Sequence, residues 1–271
     1  MPVTKIIDVK INYEDEGEGY PILFIHGFTR CLQDWDEQVP ILTDKYRVVR
    51  YDCRGHGGSE SPDDPSQYSQ EILVDEALGL IDNLGLNKTN VCGLSMGGNV
   101  ALNLAINHPD RVNGAIIVST GSGSEPDDSF IDAFKNLAGI LDKSDLETFT
   151  GALMASPLAS TLIKLRPDHT ELMKERLMSS NPKGLANTIR GVLLKRNSIL
   201  DLEDKLKNLD VPSLVLVGEF DEPCLRPADF MKQHIPNSRL IVMPETGHVV
   251  NLERPDDFNR EMISFLNEVT G

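Results

Sequence analysis

Gly93-Leu94-Ser95-Met96-Gly97 stands between an apolar run, 91–94, and a helix-like run, 100–106. A strand that turns at once into a helix strains the backbone of the residue at the turn and lifts its side chain clear of the sheet. Side chains at positions 93 and 97 would collide across so sharp a turn, so glycine is required at both. This turn also needs a sheet whose strands are followed by helices, which makes the serine a constraint on the whole chain.

The surrounding sequence supplies that sheet. Residues 4–13 alternate as one or two edge strands do, and 14–19 read as a turn. A short apolar strand follows at 21–25, and further strands at 47–51, 89–94 and 112–119. Between them, 32–42 reads as a helix with Trp35, Val39 and Leu42 on one face. Ser69 can cap another, along which Leu73, Ala77, Leu80 and Leu84 form a stripe. Strands alternating with helices imply an α/β fold, a mostly parallel sheet covered on both faces. The alternation then stops. From 122 to 209 no run looks like a strand, whereas Ser129, the capping box Ser144-x-x-Glu147, the similar Asp168-x-x-Glu171 and the pair Asn181-Pro182 each start a helix. Strands return at 211–217 and 239–243, and Pro255 opens a last helix. The expected organisation is an α/β core, 1–121 and 210–271, carrying a helical cap, 122–209.

Charge and cysteine usage exclude several functions. With 42 acidic against 26 basic side chains the net charge is −16, which argues against nucleic acid and anionic membrane surfaces as partners. No stretch approaches the ~18 apolar residues of a membrane span, and Met1-Pro2-Val3-Thr4-Lys5 does not open a signal peptide. Cys31, Cys53, Cys92 and Cys224 have neither metal-ligand spacing nor the density of a disulfide framework. A cytoplasmic protein without metal or cofactor is expected; oligomeric state is not legible.

A serine hydroxyl attacks a carbonyl only when a base takes its proton and a third group orients the base. In a parallel sheet the loops after the strands converge on one crevice, so partners for Ser95 are sought there. Asp221 follows the 211–217 strand, and His248 follows the 239–243 strand. The order Ser95, Asp221, His248 is that of hydrolases built on a strand–serine–helix turn. Competing acids are Glu219 and Glu222 nearby, and Glu125 or Asp127 after the preceding strand. Competing histidines are His26, His56, His108, His169 and His234. Asp52 and Arg54, in a glycine-rich loop, read as structural groups that satisfy backbone polar atoms. Met154, Met173 and Met178 read as core of the cap.

Five motifs resemble the α/β-hydrolase superfamily: His26-Gly27-Phe28, Asp52-x-Arg54-Gly55-His56-Gly57-x-Ser59, Gly93-Leu94-Ser95-Met96-Gly97-Gly98, Gly218-x-x-Asp221 and Gly247-His248. The second and third are similar to the branch of 3-oxoadipate enol-lactonases and small carboxylesterases. The resemblance implies a triad of Ser95, Asp221 and His248. It also implies an oxyanion hole from the backbone N–H groups of Phe28 and Met96, with His26 and His56 as hydrogen-bonding loop residues. Relatives with a carboxylate nucleophile are set aside by Ser95, and those with cap tyrosines by the absence of tyrosine after Tyr68. Ring-cleavage C–C hydrolases usually carry Asn before the nucleophile and Trp after the histidine, where this chain has Leu94 and Val249. Enol-lactonases favour a tryptophan in the cap; here the only one is Trp35. The expected activity is hydrolysis of a small carboxylic ester or lactone through an acyl-enzyme. The alternatives are C–C bond hydrolysis of a diketone-type substrate and a ligand receptor with vestigial turnover.

Overall fold

The computed structural model describes residues 2–125, 128–143 and 145–270. In chain order the first half runs β1 (Val3–Ile6), β2 (Val9–Glu16), β3 (Tyr20–Ile25), β4 (Tyr46–Tyr51), α1 (Gln70–Asn83), β5 (Thr89–Leu94), α2 (Met96–Asn107) and β6 (Val112–Val118). Five helices follow: α3 (Ser129–Leu141), α4 (Leu146–Met154), α5 (Pro157–Leu165), α6 (Pro167–Met178) and α7 (Pro182–Thr188). The chain closes with α8 (Glu203–Lys207), β7 (Ser213–Gly218), α9 (Glu222–His234), β8 (Ser238–Met243), α10 (Val250–Glu253) and α11 (Pro255–Thr270).

The strands form one sheet in the order β1-β2-β4-β3-β5-β6-β7-β8. β1 pairs antiparallel with β2, and β2 with β4; every later pairing is parallel. Every residue of β5 and of β7 is buried, as parallel strands covered on both faces must be. Their runs, apolar after the opening residues, therefore carry no two-residue alternation. Ser69 caps α1 as expected, its Oγ accepting from the Ile72 N–H at 3.2 Å.

Two local expectations are corrected. First, 14–16 extend β2 instead of turning. Glu14 faces Arg50 and Asp15 faces Val49 across the pair, and Arg47 and Arg50 meet the acids of this edge in ion pairs; cross-strand charge pairing stabilises what composition alone reads as a turn. Second, 32–42 is not an α-helix. Only Leu32–Trp35 forms a 3-10 turn, and beyond it tight turns follow with N–H groups bonding three residues back, Asp36 to Gln33, Gln38 to Trp35 and Leu42 to Val39. Pro40 has no N–H to donate, and tertiary contacts hold the side chains. Trp35 packs 4.8 Å from the Phe24 ring and 6.2 Å from Phe258, while Gln38 donates to Asn259 Oδ1 at 2.9 Å. Beside the expected helices stand α5 and α9. Ser156 caps α5, accepting from the Leu158 N–H at 3.2 Å.

Among the described residues, everything regular between β6 and β7 is helical. Asn181 caps α7 through the Gly184 N–H at 3.0 Å. The helix expected from Asp168 starts at Pro167. Ser144 lies outside the described residues, and Asp145 caps α4, accepting from the Thr148 N–H at 2.9 Å. No described helix is long and apolar enough to cross a membrane.

Candidate active site

Ser95 sits at the turn between β5 and α2 with φ +55° and ψ −107°, the strained conformation expected there. Its N–H bonds to Val118 O at 2.8 Å, which ties the turn to β6. The two glycines are needed for different reasons. A Cβ at position 93 would lie 2.1 Å from Gly97 O, across the turn itself. A Cβ at position 97 would lie 2.2 Å from Ile25 O, so Gly97 is required by the neighbouring strand β3 and not by the turn.

The loops after β7 and β8 meet at a second backbone contact. A Cβ on Gly218 would lie 2.0 Å from Gly247 O. This approach brings Asp221, buried at the start of α9, to His248: His248 Nδ1 is 2.9 Å from Asp221 Oδ2. With Asp221 ionised, Nδ1 carries the proton and Nε2 keeps its lone pair. Burial pushes the Asp221 carboxyl up, but the charge of His248 and their hydrogen bond outweigh it and hold the group below its ordinary value. His248, Ser95 and Phe28 line one cavity of about 80 Å³. Among the described residues no hydrogen bond joins Ser95 to His248, and such bonds commonly tighten only once substrate is present.

Phe28 is close because β3 ends beside the turn: a Cβ on Gly27 would lie 3.5 Å from Ser95 Cβ. Outside helices and strands, no described backbone hydrogen bond uses the Phe28 or Met96 N–H. The Met96 amide also opens α2, where helix N–H groups are unpaired and the dipole is positive. A negative charge developing beside Ser95 would meet donors there.

The competing candidates are engaged elsewhere. Glu219 accepts from the Glu245 N–H at 2.9 Å, Glu222 is exposed at the start of α9, and Glu125 pairs with Arg226. Asp127 lies outside the described residues. His26 donates from Nδ1 to Gly27 O at 2.7 Å and accepts the Cys53 N–H on Nε2 at 3.0 Å, so it has no lone pair left to act as a base. Burial, helped by neighbouring His26, pushes His56 down to about 3. Asp52 accepts from the Leu32 and Gly58 amides and from Asn12, at 2.7, 2.8 and 2.8 Å. Arg54 is paired with Glu76 at 2.8 Å, both fully buried.

Several residues in or around the site carry no local sequence signal. Glu253 accepts from the N–H groups of Gly247 and Val249 and so holds the loop that carries His248. Arg30 and Arg196 line the same cavity as Ser95. Met173 is core as expected and also reaches the cavity wall, whereas Met178 is corrected from core to surface: it is 49% exposed, since α6 turns it outward. Cys224 completes a cluster with Asp221 and His248, one potential ligand atom of each lying within 4.8 Å of the others. Burial pushes the Cys224 thiol well up, and a protonated thiol binds metals poorly. The donor set fits a hydrogen-bonded chain better than an ion.

Comparison with known proteins agrees with the fold. Residues 20–255 match the family model for the alpha/beta hydrolase fold. The chain is 29% identical, over 98% of both chains, to a putative 2-succinyl-6-hydroxy-2,4-cyclohexadiene-1-carboxylate synthase of Bacillus subtilis. It is 28% identical to 3-oxoadipate enol-lactonase 2 of Acinetobacter baylyi, over 93% of this chain and 91% of that one. A thermophilic esterase from Thermogutta terrifontis superposes with a TM-score of 0.85 at 29% identity, each chain fully covered.

Proposed function

Because the chain belongs to the alpha/beta hydrolase fold family, in the branch of enol-lactonases and esterases, we propose that it is a serine hydrolase cleaving a small carboxylic ester or lactone. The observation that carries this reading is the strained Ser95 on the wall of the cavity that His248 also lines, with His248 held by the buried Asp221 at 2.9 Å. His248 Nε2 takes the proton of Ser95 Oγ as Oγ bonds to the carbonyl carbon. The Phe28 and Met96 N–H groups bind the oxyanion. The carbon–oxygen bond to the alcohol then breaks, and His248 returns its proton to the departing oxygen. Water, deprotonated by the same nitrogen, releases the acid and restores Ser95. Asp221 fixes the tautomer and stabilises the imidazolium in each half-reaction. Residues 122–209 act as a cap that selects substrate and performs no chemistry; α3, α4, α5 and α6 give the cavity Phe134, Leu153, Leu158 and Met173, all apolar.

A fluorophosphonate probe tests the assignment, since it reacts with activated serines. It should label the native protein at Ser95 and leave Ser95→Ala unlabelled. Equal labelling of the two proteins would overturn it.

A further inference from the structure

In a chain of net charge −16, the described residues that line the cavity holding Ser95 include two arginines, Arg30 and Arg196, and no aspartate or glutamate. The two arginines differ in their partners. Arg30 Nη1 lies 3.3 Å from Asp34 Oδ2, while the other oxygen of Asp34 takes Arg176 at 2.7 Å. Arg196 meets no carboxylate among the described residues. Its Nη2 donates to Ser122 O at 2.6 Å and lies 3.4 Å from Ser122 Oγ, both uncharged. Its guanidinium sits 5.6 Å from the Phe130 ring centre. No described hydrogen bond uses its Nε or Nη1.

Arg196 is half-buried, and a cation in such a place without a counter-charge is one that folded proteins ordinarily pair. Burial pushes the Arg196 guanidinium down to about 10, still far enough above neutrality to keep it charged. Phe130 and Ser122 orient the group without neutralising it, so its charge is available to whatever enters the cavity. A planar guanidinium with free N–H groups matches the two oxygens of a carboxylate. One free guanidinium balances one carboxylate.

We propose that the ester or lactone cleaved here bears a carboxylate, and that Arg196 receives it as the specificity-determining residue of the cavity. This rests on the serine-hydrolase reading above. The carboxylate can belong to the acyl part or to the alcohol part of the substrate, and the test separates the two.

The acyl arm compares monoethyl succinate with ethyl 4-oxopentanoate, in which a methyl ketone replaces the carboxylate. The alcohol arm compares acetoxyacetate with acetoxyacetone. In one arm the wild type should favour the carboxylate member in kcat/KM by on the order of 10- to 100-fold, the worth of a charge-assisted hydrogen bond. In Arg196→Gln that ratio should collapse towards one, mainly through KM, while Arg196→Lys retains part of it. The responding arm shows which side of the scissile bond faces Arg196. Equal turnover of both members in both arms, or a preference that survives Arg196→Gln, overturns the inference and leaves the hydrolase reading intact. Should Arg196→Gln lose its melting transition, inhibition of the wild type decides: competition by succinate and not by succinamide supports the proposal, and equal inhibition overturns it. Failure of all four esters together with absence of probe labelling at Ser95 overturns the hydrolase reading, and this inference falls with it.

Discussion

The Asp221 carboxylate is one hydrogen bond from the imidazole and fully removed from solvent, so its effect on the chemistry can be isolated. Asp221→Asn keeps the shape but lets His248 take the tautomer that turns its N–H towards Ser95. Steady-state kinetics on one ester should show kcat lowered by on the order of 10²–10⁴ with KM changed far less, because the lost interaction matters mainly in the transition state. Glu219→Gln and Glu222→Gln should stay within about tenfold of wild type, as neither side chain bonds to His248. Retained activity in Asp221→Asn would remove Asp221 from the triad. The same group has a stability signature. Its native value is held below the ordinary 3.8, so its ionised form adds stability above pH 3.8 that is lost as the pH falls through the lower native value. The difference in urea midpoint between wild type and Asp221→Asn should therefore shrink on acidification below pH 3.8; a difference that grew there would contradict the sign.

At the scale of elements, α1 is bound to the loop after β4 by a charge pair that nothing solvates. Arg54 Nε and N–H both donate to Glu76, at 2.8 and 3.1 Å. Burial pushes the Glu76 carboxyl up more strongly than Arg54 pulls it down, so the pair is costly to bury and costlier to break. Glu76→Ala leaves the guanidinium alone in the core and should lower stability by about 3–5 kcal/mol, read as a fall in melting temperature. Removing both charges in Arg54→Met/Glu76→Leu should recover much of that loss; a double variant as unstable as the single one would show that the loop and not the charge is at issue. Elements were legible where a local pattern decides them. The runs at β3, β5 and β7 are mostly apolar, and Ser69 and Asn181 cap their helices with side chains visible in the sequence. The stretch after Cys31 was not, because Trp35 and Gln38 are directed by contacts with β3 and α11, which the spacing of apolar residues does not contain. Glu14 likewise joins β2 because of Arg50, some thirty-six positions away.

For the molecule as a whole, the candidate site was legible as far as it is written in short glycine motifs. Gly93-x-Ser95, Gly218-x-x-Asp221 and Gly247-His248 each lie at or just past the end of a strand, and the parallel order of the sheet puts those ends on one side. Arg196 is not legible in the sequence, because the absence of a counter-charge is a property of the folded cavity. The shape of that cavity was equally hidden, and it leads to a last expectation. Phe130, Phe134, Ser156 and Leu158 line both the small cavity at Ser95 and a neighbouring one of about 660 Å³. Phe134 stacks 4.4 Å from Phe130 and 6.0 Å from Phe28, so it forms part of the wall between the two spaces. If the 122–209 helices select substrate by bulk, removing this ring joins the small space to the large one. Phe134→Ala should then move the optimum of an ester series to longer acyl chains. Each added methylene placed in the opened space contributes about 0.8 kcal/mol of apolar burial, or roughly three- to fourfold in kcat/KM per carbon. Leu153→Ala, which lines only the small cavity among those named here, should shift the optimum less. Ser95 should still react with the fluorophosphonate probe in both variants, because neither side chain touches the proton path through His248. An unchanged chain-length profile in folded Phe134→Ala would mean that the wall is not what measures the substrate, and loss of labelling would mean that the helices take part in the chemistry itself.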